Sequence, residues 1–248
     1  MESTSWFDDY EYEKNILTTD EVLEMIKAAV DNKQPYSLAR FGHGEIAELS
    51  WDTNPYFSYL MEYYRDYAGI TKPAGEIKPQ LIEAWKTATT CGVLPSWEDK
   101  TGAEKSIPIF KNINSIPTSL CSAFINYEIH EKELFWRILK KQKVIIVGRR
   151  ASQAEPIFKA KGVSVVGTVG LNNIEELEKA YQTLIANDEW QIAILSAGIP
   201  ATILAPQLAN STKRIALDIG HALDLIIDGS SFNFETLVKD YNDKKLES

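Results

Sequence analysis

From about residue 143 onward, short apolar runs alternate with amphipathic stretches, and this alternation constrains the fold more than any other feature of the chain. Lys143–Val147, Val163–Thr168, Gln191–Leu195 and Arg214–Asp218 are apolar runs of strand length. Helical spacing fills the gaps at Ser152–Lys161, Ile174–Ala186 and Ala201–Ala209, and Ser152 with Glu155 and Asn173 with Glu176 supply start signals. Strands separated by helices pair in parallel through right-handed crossovers, with helices on both faces. The predicted class is α/β with a mostly parallel sheet.

The first half continues the pattern. Thr18 with Glu21 forms a capping box, and Val22, Leu23, Ile26, Ala29 and Val30 recur at helical spacing as far as Asn32. A strand is expected at Tyr36–Arg40, helices at Pro55–Tyr67 and Ile77–Thr89, a buried strand at Thr90–Leu94 and a polar loop at Pro95–Gly102. A chain of 248 residues, 44% of them hydrophobic, can bury one substantial core. We therefore expect a single domain over 18–248. Residues 1–17 are acidic and aromatic without periodicity, and read as an arm that packs on the body or on a partner, with a homo-oligomer as one such assembly. Lys239–Ser248 reads as a polar, frayed helix end.

Parallel sheets bind ligands beyond the C-terminal ends of their strands. That rule brings Arg40–Glu45, Gly148-Arg149-Arg150, Ser196–Gly198 and Asp218–His221 to one edge. The stretch Ser37-Leu38-Ala39-Arg40-Phe41-Gly42-His43-Gly44-Glu45 is the richest of these, because a helix is expected from Ile46 and its N-terminal N–H groups favour anions. Arg40 could fork onto phosphate oxygens, with Phe41, Gly42 and Gly44 completing the binding turn. His43 and Glu45 lie two apart, which in extended backbone points both to one side and could hold a divalent metal or supply a base. The bland alternative is a turn with a solvated His and Glu.

Asp218 and His221 bracket Ile219-Gly220 and are candidates for the same cleft as Glu45; a helix cap and a structural histidine are the alternative. Asp224 either orients His221 or sits on a solvated face. Arg149 and Arg150 suit a diphosphate or a uracil-bearing nucleotide, or close a salt bridge with Glu155. Ser196 and Gly198 would let backbone approach a ligand closely. Of the tryptophans, Trp85 and Trp136 read as core, whereas Trp51 and Trp97 are kept as sugar platforms. His130, among acidic residues on an expected surface helix, is left out of the site.

A formal charge of −9 argues against a general nucleic-acid binder. Cys91 and Cys121 are too far apart for a redox or zinc motif and are expected buried and reduced. The N-terminus lacks a basic segment followed by an apolar one, and no run approaches membrane-span length, so a cytoplasmic location without a membrane span is expected.

Arg40-Phe41-Gly42-His43-Gly44-Glu45 resembles the Arg-Phe-Gly-Asp-Gly-Glu signature of the GT-D-fold glycosyltransferases, formerly grouped as a domain of unknown function. Leu195–Thr202 is similar to that family's Gly-Pro-Thr-Ala turn and Ala216–His221 to its Asp-Ile-Gly-His element, with Ser122–Ile125 and Val144–Arg149 in the expected order. The resemblance spans about Thr18 to Asp228. It implies a Rossmann-like domain of the GT-D type and a hexosyltransferase using a nucleotide-diphosphate sugar, above all a UDP-sugar. A carbohydrate or glycoprotein would be the acceptor.

It also implies catalytic roles for Glu45, His43, Asp218 and His221. His43 stands where the family has its first carboxylate, so a metal held by His43 and Glu45 would be manganese rather than magnesium, which prefers oxygen. Two other readings remain open: a nucleotide-sugar-binding protein without activity, and another nucleoside enzyme such as a methyltransferase. The second lacks the fuller glycine pattern after Val144–Gly148.

Overall fold

The structure, a computed structural model, describes residues 11–246, so the first ten residues of the expected arm lie outside the described residues. Eight strands form one sheet: β1 (Ile16–Leu17), β2 (Tyr36–Arg40), β3 (Thr90–Val93), β4 (Ser119–Ser122), β5 (Lys143–Gly148), β6 (Ser164–Val169), β7 (Ile192–Ser196) and β8 (Ile215–Asp218). Their order is β1-β4-β3-β2-β8-β7-β5-β6, and every described pairing is parallel. From β2 the chain builds outward through β3 and β4, then fills the other side, so β2 and β8 meet in the middle. Such a change of direction opens a crevice at the strand ends.

Period-two alternation divides the core between the two faces. Leu38, Val144, Ile146 and Leu217 point one way, toward α1 (Thr19–Asp31), α6 (Glu133–Leu139), α7 (Ala151–Ala160) and α10 (Ala222–Asp228). Ala39, Ile145, Val147 and Ala216 point the other way, toward α2 (His43–Ser50), α4 (Lys78–Thr87), α8 (Leu177–Ala186) and α9 (Ile199–Thr212). Helix α9 is buried nearly all round, as a helix lying across β2 and β8 under α4 and α8 must be. Trp85 is fully buried and stacks on Phe110 of α5 (Lys100–Ile113) at 4.2 Å.

Several local expectations hold and others shift. The Thr18–Glu21 capping box opens α1. The arm's last two residues, Ile16 and Leu17, pair with β4 as an edge strand, and Tyr12 is buried. Helix α3 spans only Pro55–Met61, with turns from 62 to 69 ending at Gly69. Ser152 and Glu155 do not start α7: its N-cap is Arg150 without a side-chain cap, and Glu155 pairs with Lys159. Asn173 caps a short 3-10 turn that leads into α8. The expected helix end from Lys239 is the last part of α11 (Phe234–Leu246), a helix of 13 residues that begins before it, and residues 247–248 lie outside the described residues.

Trp136 packs among Phe135, Phe158 and Lys161 as expected of a core residue. Cys91 and Cys121 are buried and free. No helix among the described residues is long and apolar enough to cross a membrane.

Candidate active site

A cavity of about 850 Å³ opens at the C-terminal ends of the strands. Its wall carries residues at or just beyond the ends of β2 (Arg40, Gly42–Glu45), β5 (Arg149, Arg150), β7 (Ser196–Ile199) and β8 (Gly220, His221, Asp224). The sheet edge therefore collects nearly all the segments singled out from the sequence. The outer wall comes from elsewhere. Tyr64 and Tyr67, in the turns after α3, meet Phe234 and Tyr241 of α11 through ring contacts of 5.7 Å. Trp51 and Trp97 are not on this wall. Trp51 packs under Arg65, and Trp97 is 58% exposed in its loop.

Arg40 is not free to grip a phosphate. Its Nη2 pairs with Asp218 Oδ1 at 3.2 Å, and its Nη1 donates to the Ala123 carbonyl and to Asn126 Oδ1 at 3.1 Å each. Asp218 also accepts from the Arg40 and Gly220 backbone N–H groups and is fully buried. The expectation that Asp218 faces the cleft is corrected: its carboxylate neutralises Arg40 beneath the floor. Gly220 has φ +45°, and any Cβ there would collide with the Arg40 guanidinium. Phe41 is likewise a core residue rather than a binding one, edge-on to Trp85 at 5.0 Å and 0% exposed. Gly148 does not reach the cavity either; it lets β5 pass close to the Ser196 carbonyl.

His43 and Glu45 diverge because the helix begins at His43, where residues two apart no longer share a side. Glu45 turns inward: Oε2 accepts from the Gly42 N–H at 3.0 Å, and Oε1 lies 3.0 Å from the Thr202 hydroxyl. Burial first, and the charge of Asp218 second, push its carboxyl up to about 7, with Arg40 opposing. His43 turns outward, its Nε2 2.7 Å from Asp99 Oδ2. Among the described residues no three His, Cys, Asp or Glu side chains gather as a ligand set. His43 and Glu45 thus point apart, one to Asp99 and the other to Thr202, and do not present a shared face to a cation.

Thr202 and Asp99 were not singled out from the sequence. Thr202 Oγ1 reaches Arg40 O, Glu45 Oε1 and Asp218 Oδ2 at 3.0–3.2 Å, one proton among three acceptors. A protonated Glu45 resolves that conflict by donating to Thr202, which then donates onward. Asp99 fell in the expected polar loop, and α5, the helix that its Oδ1 caps through the Gly102 N–H at 2.9 Å, was not expected from the sequence.

Gly198, at φ +62°, begins α9, and a side chain there would strike the Ala68 carbonyl. Arg150 is neutralised by Asp224 and Asp228 at 3.0 and 2.6 Å, not by Glu155. Asp224 also holds His221 Nδ1 at 3.3 Å, while the His221 ring stacks on Tyr67. Arg149 differs from its neighbour: its guanidinium lies over the rings of Tyr67 and Tyr241 at 4.9 and 4.2 Å and donates to the Tyr67 carbonyl. Its buried Nε has no partner, and among the described residues no carboxylate pairs with it.

The overall fold is shared with solved glycosyltransferase structures. One structure, described as showing that the highly conserved domain of unknown function 1792 has a distinct glycosyltransferase fold, matches 93% of this chain and 87% of its own at 15% identity and a TM-score of 0.61. A second, described as a new glycosyltransferase (DUF1792) from Streptococcus sanguinis, matches 88% of this chain and 86% of its own at 16% identity and a TM-score of 0.64. Identities this low establish the fold alone. The family profile of the GT-D fold-like domain matches residues 17–226, and the chain belongs to that family. No curated protein matches the chain.

Proposed function

We propose that this chain is a glycosyltransferase that moves a sugar from a nucleotide-diphosphate sugar, by family resemblance a UDP-sugar, to a carbohydrate or protein-linked acceptor. The observation that carries the reading is Arg149, the arginine on the cavity wall with no carboxylate partner among the described residues. A cavity of about 850 Å³ has the volume for such a donor. Arg149, held between two tyrosines, would take the diphosphate together with the N–H groups at the start of α2. Catalysis would come chiefly from stabilising the departing diphosphate. Arg40, Asp218, Glu45 and Thr202 keep the α2 turn in place, and His221 and Asp224 shape the opposite side.

Calorimetric titration with UDP, GDP and dTDP tests the donor site. Arg149→Ala should weaken the best of them about 10- to 100-fold, the loss of a charge-assisted pair of about 1.5–3 kcal/mol, while leaving the fold intact. Arg40→Ala should instead lower stability. Absence of binding by every nucleoside diphosphate at millimolar concentration would overturn the assignment.

A further inference from the structure

The departure at position 43 places an imidazole against a carboxylate that nothing above uses. We propose that His43 and Asp99 form a base dyad, in which Asp99 fixes the ring so that Nδ1 takes the proton of the acceptor hydroxyl. The inference rests on the donor-site reading and adds to it the group that activates the acceptor.

Asp99 is held at both oxygens, Oδ1 by the Gly102 N–H at 2.9 Å and Oδ2 by His43 Nε2 at 2.7 Å. The carboxylate is thus anchored to the start of α5 and cannot follow the ring if the ring moves. A carboxylate accepts only, so the neutral imidazole must carry its proton on Nε2. Nδ1 is left with a lone pair. It has no hydrogen-bond partner among the described residues, and the His43 side chain is 30% exposed on the cavity wall. Phe57 and Phe124, each 6.2 Å from the ring by centroid, limit its rotation. A carboxylate that orients one ring nitrogen so that the other can act as base is the logic of catalytic triads.

The step balances without a further reactant. The acceptor oxygen forms its bond to the anomeric carbon as its proton passes to Nδ1, and the bond from that carbon to the diphosphate oxygen breaks, its electron pair leaving with the nucleoside diphosphate. The imidazolium is stabilised by Asp99 and later returns the proton to solvent. Such a direct displacement inverts the anomeric centre. Asp99 itself does not line the cavity and is a positioning residue. The same carboxylate would also orient a metal-binding imidazole, but among the described residues no further ligands converge on His43.

Asp99→Asn isolates the dyad, because Asn caps helices as well as Asp. The cap needs the amide oxygen at the Gly102 N–H, which turns the amide nitrogen onto His43 Nε2. His43 must then accept there and carry its proton on Nδ1, where the base is required. Nitrogen-15 NMR reads the tautomer directly, since the chain has 3 histidines and His43→Gln identifies the signal.

We expect Nε2–H in the wild type and Nδ1–H in Asp99→Asn, with UDP affinity within about twofold. Release of UDP from UDP-glucose, with chelator present and water as acceptor, should fall about 100-fold or more. Wild-type turnover by Asp99→Asn, an Nδ1–H tautomer in the wild type, or loss of wild-type turnover in chelator would overturn the dyad. Should Asp99→Asn fail to fold, His43→Gln keeps the cap, and normal turnover in that variant would overturn the proposal equally. Failure of UDP to bind at all would instead remove the donor-site reading.

Discussion

Asp218→Ala is expected to cost about 3–5 kcal/mol of folding stability, because it leaves a charged Arg40 buried without its partner. The Arg40 side chain is only 15% exposed, and Asp218 accepts from its Nη2 and backbone N–H and from the Gly220 N–H. Asp218→Asn should cost less, since it keeps one acceptor oxygen while losing the charge. Urea unfolding of the two variants measures this directly. A loss below about 1 kcal/mol in Asp218→Ala, combined with collapsed turnover, would return Asp218 to the catalytic role expected from the sequence.

The second large effect is a pH dependence carried by Glu45. Its folded carboxyl titrates near 7, against 4.5 as the ordinary value. Below that ordinary value both folded and unfolded chains hold the proton and stability is full. Between the two values only the folded chain holds it, so stability falls as pH rises, by about 1.4 kcal/mol per unit. Above 7 the folded carboxylate is ionised too, and the penalty levels off at about 3 kcal/mol. Glu45→Gln mimics the protonated form: its oxygen can accept from the Gly42 N–H and its amide can donate to Thr202. The variant should match the wild type near pH 4.5 and exceed it near pH 8 by that same order. Parallel unfolding curves at both pH values would sink the reading of Glu45 as a buried, neutral support.

Much of the sheet was legible in the sequence. Runs of apolar residues located β2, β3, β5, β6, β7 and β8 to within one or two residues. The two that escaped are β1, only two residues long, and β4, whose Ser119-Leu120-Cys121-Ser122 has a polar residue at each end and so does not stand out as an apolar run. Strand-end geometry also gathered the right segments. What it could not decide is which side chains face the cavity and which neutralise each other beneath it. Arg40 and Asp218 carry opposite charges 178 positions apart, and no local pattern reports a pairing at that distance.

The His43 and Glu45 reading failed on a single boundary. Two residues of extended chain would share a face, but α2 starts one turn earlier than expected, and a helix sends them apart. The start of α11 was missed for another reason: Phe234, Leu237 and Tyr241 do recur at helical spacing, yet the polar residues around them masked a stripe that lines the cavity. That stripe lies beyond residue 226, where the family match ends. The outer wall thus joins Tyr64 and Tyr67 from within the matched residues to Phe234 and Tyr241 beyond them.

The pairing of β2 with β8 has a consequence for synthesis. On the ribosome, β2 emerges long before β8, so a nascent chain carries Arg40 with no counter-charge and no floor to its cavity until Asp218 has been made. Nascent or truncated chains ending before that point would expose the sheet's central edge and bind no donor. Competence would arrive in one late event, and partial products would be visible to proteases and chaperones rather than weakly active.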